Sequence, residues 1–156
     1  VARHPTLPNA CVGWREWIAL PDLGIRALKV KVDTGAQTSA LHAFELERFR
    51  RRSRDMVRFV VHPEQRSSGS AVAVSCVMID ERRVRSSSGH GELRPVIATR
   101  AVLGALEWTI EVTLTSRDAM GFRMLLGRRA LSDHFVVDPS SSYLAGAPLS
   151  SFEVSP

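Results

Sequence analysis

Long apolar runs are missing from this 156-residue chain. No stretch approaches the roughly 18 apolar residues of a membrane-spanning helix, so no transmembrane segment is expected. Cysteine is scarce. Cys11 and Cys76 stand far apart, which gives neither a disulfide framework nor a metal-binding spacing. Lysine is nearly absent: Lys29 and Lys31 are the only two among 21 basic residues, and the rest are arginine. Neither lysine follows a glycine, so the Gly-rich phosphate loop that ends in Gly-Lys does not occur. The histidines, at 4, 42, 62, 90 and 134, are scattered, and none begins the His-Glu-x-x-His of a common zinc peptidase. No internal repeat at a fixed period is visible. Val1-Ala2-Arg3-His4-Pro5 carries no apolar signal segment, so a cytoplasmic location is the default expectation.

What is present is the composition of one globular domain, 44% apolar with a formal charge of +5. Arginine suits bidentate binding of carboxylates or phosphates, which makes an acidic substrate conceivable. A GC-rich coding sequence accounts for the same bias without function. The densest cluster, Arg48, Arg50, Arg51, Arg52 and Arg54, surrounds Phe49 but belongs to no nucleic-acid module. A solvated helix face or loop is expected there, and nucleic acid is not an expected partner.

Along the chain, residues 1–11 suggest a flexible arm, with Pro5 and Pro8. Residues 12–146 form the expected domain, and 147–156 a tail. Val12 to Leu20 has strand character. By period two, Trp14 and Trp17 lie on opposite faces, so at least one should find a core or a partner subunit. Pro21-Asp22-Leu23-Gly24 marks a turn, and Ile25 to Val32 a returning strand. His42 to Arg54 suggests a short helical turn. Further strands are expected over 56–62, 71–79, 93–103, 108–115, 122–127 and 135–138, with a brief helix after Gly127. Cys76, within an apolar run, should be a buried thiol. The architecture expected is all-β and barrel-like, with one or two short helices.

The organising stretch is Lys29-Val30-Lys31-Val32-Asp33-Thr34-Gly35-Ala36-Gln37-Thr38-Ser39-Ala40-Leu41. A strand delivers Asp33 to a turn that Gly35 permits. A carboxylate at a strand end can face a cleft and do general acid/base work. Asp-Thr-Gly alone is also ordinary turn chemistry, so its surroundings must decide.

Those surroundings resemble a known family. The Lys31-Val32-Asp33-Thr34-Gly35-Ala36 segment and the later Leu125-Leu126-Gly127-Arg128 are similar to the retropepsin-like aspartic peptidases. Val12-Gly13-Trp14-Arg15-Glu16-Trp17, Thr38-Ser39-Ala40-Leu41-His42-Ala43, Arg94-Pro95-Val96-Ile97 and Val137-Asp138-Pro139 resemble a bacterial branch labelled "ATP-dependent zinc protease". That branch is linked to RimK-type ligases, which add glutamates to a ribosomal protein. The resemblance implies a retropepsin-like acid-protease barrel that processes glutamate-extended tails, with a RimK-type ligase as a partner. The residues offer no carrier for the label's zinc or ATP, so no metal and no cofactor is expected.

The resemblance further implies that Asp33, Thr34 and Gly35 form the catalytic loop. Ala36 and a flap holding Ser87, Ser88 and Gly89 would contact a peptide substrate; for the last three an exposed hairpin tip is the equal alternative. Gly127 and Arg128 would support the loop from behind, and His42 is expected to be structural. Aspartic peptidases need two carboxylates, and this chain has one Asp-Thr-Gly. A homodimer is therefore expected, with one Asp33 from each chain. The alternative is a catalytically weak adaptor domain that recognises acidic peptides through arginines such as Arg85, Arg94 or Arg100.

Overall fold

The computed structural model describes residues 10–64, 71–85, 89, 91–116 and 121–147. Their strands are β1 (Ala10–Val12), β2 (Arg15–Leu20), β3 (Ile25–Asp33), β4 (Ser39–His42), β5 (Phe44–Arg51), β6 (Arg54–Val61), β7 (Val72–Val77), β8 (Asp80–Arg85), β9 (Gly91–Leu103), β10 (Leu106–Thr115), β11 (Met124–Gly127) and β12 (Phe135–Val137). One short α-helix, α1 (Arg128–Leu131), and a 3-10 turn at Pro21–Leu23 complete the set. The all-β expectation holds, and so does the brief helix after Gly127.

Six strands close into a barrel in the order β10-β4-β11-β3-β2-β9, with β9 pairing back onto β10. Closure leaves few unpaired backbone edges. β8 is added outside the ring, on the N-terminal half of β9. β5, β6 and β7 form a separate three-stranded sheet, and β1 pairs with β12 in parallel. The barrel is filled by Ile18, Leu20, Leu28, Val30, Leu41, Ile97, Leu114, Met124 and Leu126, all buried. Period-two alternation in β2, β3 and β10 directs these side chains inward. Val57, Phe59 and Val61 of β6 join the same core.

Two expectations need correction. His42 to Arg54 holds no helical turn: β4 ends at His42, and β5 pairs with β6 through a turn at Arg52 and Ser53. The register shifts between Phe44 and Glu47, and Glu45 has a φ of 52°. This bulge breaks the alternation that identifies a strand. The strand expected from Val12 to Leu20 is also interrupted. Gly13 and Trp14 separate β1 from β2, where Ser141 and Ser142 pack directly on Gly13. A Cβ there would lie 2.1 Å from the Ser141 carbonyl oxygen. Ala10 and Cys11, read above as part of the arm, belong to β1.

Neither Trp14 nor Trp17 enters the core; both are half-buried. Trp14 meets Phe122 edge-on, and Trp17 stacks on Tyr143 with ring centroids 5.9 Å apart. The fully buried residue between them is Glu16. Its carboxylate accepts backbone N–H bonds from Gly13 at 2.7 Å, Leu144 at 2.9 Å and Ala145 at 3.0 Å. Glu16 therefore fastens residues 144–145 against the entry to β2. Cys76 is partly buried, and burial pushes its thiol up to about 11. No helix among the described residues is long and apolar enough to cross a membrane.

Candidate active site

The site is built where β3 ends. β11 lies between β3 and β4, parallel to the first and antiparallel to the second. This places Gly127 opposite Asp33 and Met124 opposite Leu41. The chain passing from Thr38 to Ser39 crosses over Gly127 so closely that a Cβ would sit 2.6 Å from the Thr38 carbonyl carbon. The Gly127 N–H donates to Ser39 Oγ at 3.0 Å, which locks the crossing.

The Asp33 loop is held from both sides. Val32 N–H donates to the Trp14 carbonyl at 2.8 Å. Beyond the turn, Ala36 N–H donates to the Asp33 carbonyl at 3.2 Å. The N–H groups of Arg128 and Arg129, at the start of α1, donate to the carbonyls of Ala36 at 2.8 Å and Gln37 at 3.2 Å. Arg128 Nη1 adds a bond to the Thr34 carbonyl at 3.3 Å. Arg128 thus reaches the loop with its backbone and its side chain together.

Asp33 is half-buried, while Thr34 and Gly35 are exposed. Asp33 Oδ1 accepts the Gly35 N–H at 3.0 Å. A Cβ on Gly35 would lie 3.3 Å from that oxygen, tight enough to disturb the carboxylate. The Thr34 hydroxyl has no hydrogen-bond partner among the described residues. The result is an oriented carboxylate at the surface of a rigid crossing.

A cleft of about 460 Å³ begins at Ala36 and continues along Gln37, Thr38 and Ala40 to Thr113 and Leu125. Its other wall is β8 and the start of β9, with Arg82, Arg83, Arg85 and Arg94. Of the flap residues expected from sequence, Ser87 and Ser88 lie outside the described residues. Gly89 is exposed, with a φ of 84° and open space around it. His42 sits at the opposite end of β4 from the Gly127 crossing. It is buried, with Nδ1 3.2 Å from Arg123 Nη1 and its ring against Phe44. Arg100 does not line the cleft: Asp22 and Glu107 bind its guanidinium at 2.8 Å each. That binding holds the Asp22 carboxyl below its ordinary value. Among the described residues, no cluster of three or more His, Cys, Asp and Glu could hold a metal.

The model of the RimB-like family, described as the retropepsin-like aspartic endopeptidase RimB, matches residues 11–148. The chain belongs to this family. The RimB-like segment also recurs within larger proteins. It is 44% identical over 135 residues to a "Probable alpha-L-glutamate ligase" of Shewanella pealeana, covering 86% of this chain and 30% of that protein. It is 46% identical over 135 residues to a protein of the same name from Parasynechococcus marenigrum, covering 86% of this chain and 29% of that one. The chain thus spans less than a third of the curated relatives it matches. Among solved structures, the Legionella pneumophila protein Lpg0085, titled as of unknown function, superposes with a TM-score of 0.72 at 28% identity. That likeness covers 88% of this chain and 98% of Lpg0085.

Two features of the RimB-like site escaped sequence reasoning. Glu16 carried a usable signal, since period two puts it on the face of Ile18 and Leu20. The Arg82–Arg94 pairing carried none, because the register of β8 on β9 is a tertiary property.

Proposed function

We propose that this chain is an aspartic endopeptidase whose active form is a twofold dimer. The observation that carries the reading is the held carboxylate of Asp33, at the exposed end of β3, fixed by the Gly35 N–H and backed by the Gly127 crossing. One such carboxylate per chain calls for a second chain. With two Asp33 side chains close together, both cannot ionise, so they share one proton. The ionised partner draws a proton from water as the water attacks the scissile carbonyl. The protonated partner donates to the carbonyl oxygen. Thr34, whose hydroxyl is exposed beside Asp33, bonds across the twofold axis and stiffens the paired loops. Ala36 and the Ser87–Gly89 segment contact the peptide.

The name borne by the longer relatives directs the substrate. A peptidase whose fold recurs within glutamate-adding ligases has glutamate-extended protein tails available to it, and a RimK-type ligase is the natural partner. The arginine-lined cleft supports an acidic chain. A cytoplasmic site of action follows from that partnership.

Mixing tests the dimer. Wild-type protein is titrated with Asp33→Asn protein at fixed total concentration, and peptide hydrolysis is recorded. A shared dyad makes activity fall as the square of the wild-type fraction, to about a quarter at equal mixing once chains have exchanged. A linear fall to about half would mean that each chain works alone. If neither protein cuts while both bind acidic peptide, the adaptor reading takes its place.

A further inference from the structure

β8 and β9 set Arg82 directly opposite Arg94. Like charges at one cross-strand position repel unless anions compensate them. Three carboxylates offset the two charges here, but they leave donors of both guanidiniums unused. Arg82 Nη2 donates to Glu111 at 2.7 Å, and its Nε to Asp80 at 3.3 Å. Arg94 Nε donates to Glu92 at 3.0 Å. These bonds hold each guanidinium still without using all its donors. Arg82 Nη1 is shut away from water and has no acceptor among the described residues. The Nη groups of Arg94, whose side chain is only 12% exposed, also have none there.

Both residues line the cleft that begins at Ala36, immediately after the Asp33-Thr34-Gly35 turn. Four arginines and no carboxylate are among the residues that line it. An oxygen anion in the cleft gives the spare donors of Arg94 an acceptor, and the adjoining Arg82 adds its charge. A carboxylate matches the planar fork of donors. Because Glu111, Asp80 and Glu92 already fix the arginines, little ordering is left to occur on binding.

We propose that Arg82 and Arg94 are the specificity-determining pair of the Asp33 site, binding the side-chain carboxylate of an acidic residue in the peptide. Its effect on turnover rests on the peptidase reading; its effect on binding does not.

The test compares two peptides that differ only in carrying a run of glutamates or of glutamines. Hydrolysis is measured with wild type. Affinity is measured by fluorescence anisotropy on Asp33→Asn protein. The glutamate peptide should be preferred by about tenfold or more in both assays. Arg94→Gln should collapse that ratio towards unity, and Arg94→Lys should restore only part of it, since an ammonium lacks the fork. Arg82→Lys, which keeps the charge and removes Nη1, should also lower the ratio. Arg54→Gln, at the start of β6, should leave it unchanged, which separates the subsite from a general charge effect. Thermal melts identify any variant that fails to fold, and the lysine variants decide if the glutamine ones do. Equal affinity for the two peptides, or a preference that survives in Arg94→Gln, overturns the proposal. Absence of binding to either peptide overturns it too. A glutamate preference that depends on Arg94 without hydrolysis by wild type would keep the subsite and reject the peptidase.

Discussion

At Gly127 a methyl group has nowhere to go. The atoms it would strike are the backbone of Thr38 and Ser39, which cannot rotate aside. Gly127→Ala should therefore cost about 1–3 kcal/mol. A melting scan should show it as a fall of about 2–4 °C for each kcal/mol. Because Gly127 faces Asp33 in the ladder, the same variant should lose hydrolysis beyond its loss of stability. Asp138 sets a second residue-scale expectation. The hydroxyls of Ser140 and Ser141 and the Ser140 N–H hold its carboxyl below the usual carboxylate range. Folding therefore favours the ionised form. This contribution is complete above the unfolded carboxyl value of about 3.9 and is lost as pH falls through the lower native value. Between pH 5 and pH 3, Asp138→Asn should lose less melting temperature than wild type. An identical acid slope in the two proteins would contradict this account.

At the scale of elements, the segment that follows β12 is part of the site's support. The buried carboxylate of Glu16 ties residues 144–145 to Gly13, and the Trp14 carbonyl bonds Val32, one residue before Asp33. Glu16→Ala would leave three backbone donors without their acceptor. The expected loss is about 3 kcal/mol or more, read by urea denaturation. An unchanged midpoint would show that residues 144–145 are held by other means. Much of this framework was legible. The alternation in β3 and β10 and the Asp-Thr-Gly and Leu-Leu-Gly-Arg segments each declare their local geometry. β5 did not declare itself, because the bulge at Glu45 breaks its period and charged residues fill it. Glu16 was hidden by its charge, although its place in the alternation pointed inward. The cleft's arginines were visible as residues, but only strand register brings Arg82 and Arg94 together. Arg100 looked equivalent in sequence and is instead engaged by Asp22 and Glu107.

For the whole molecule, a closed barrel presents one oriented carboxylate beside an arginine-lined cleft. The chemistry proposed for it needs two such barrels. The same segment is less than a third of the ligase-named relatives. The central claim is that Asp33 performs hydrolysis. The most direct measurement incubates wild type and Asp33→Asn with a glutamate-extended peptide across pH 4–8 and follows the products by mass spectrometry. The account predicts new peptide termini with wild type, none above background with Asp33→Asn, and undiminished peptide affinity in the variant. Cleavage by Asp33→Asn at the wild-type rate would contradict it.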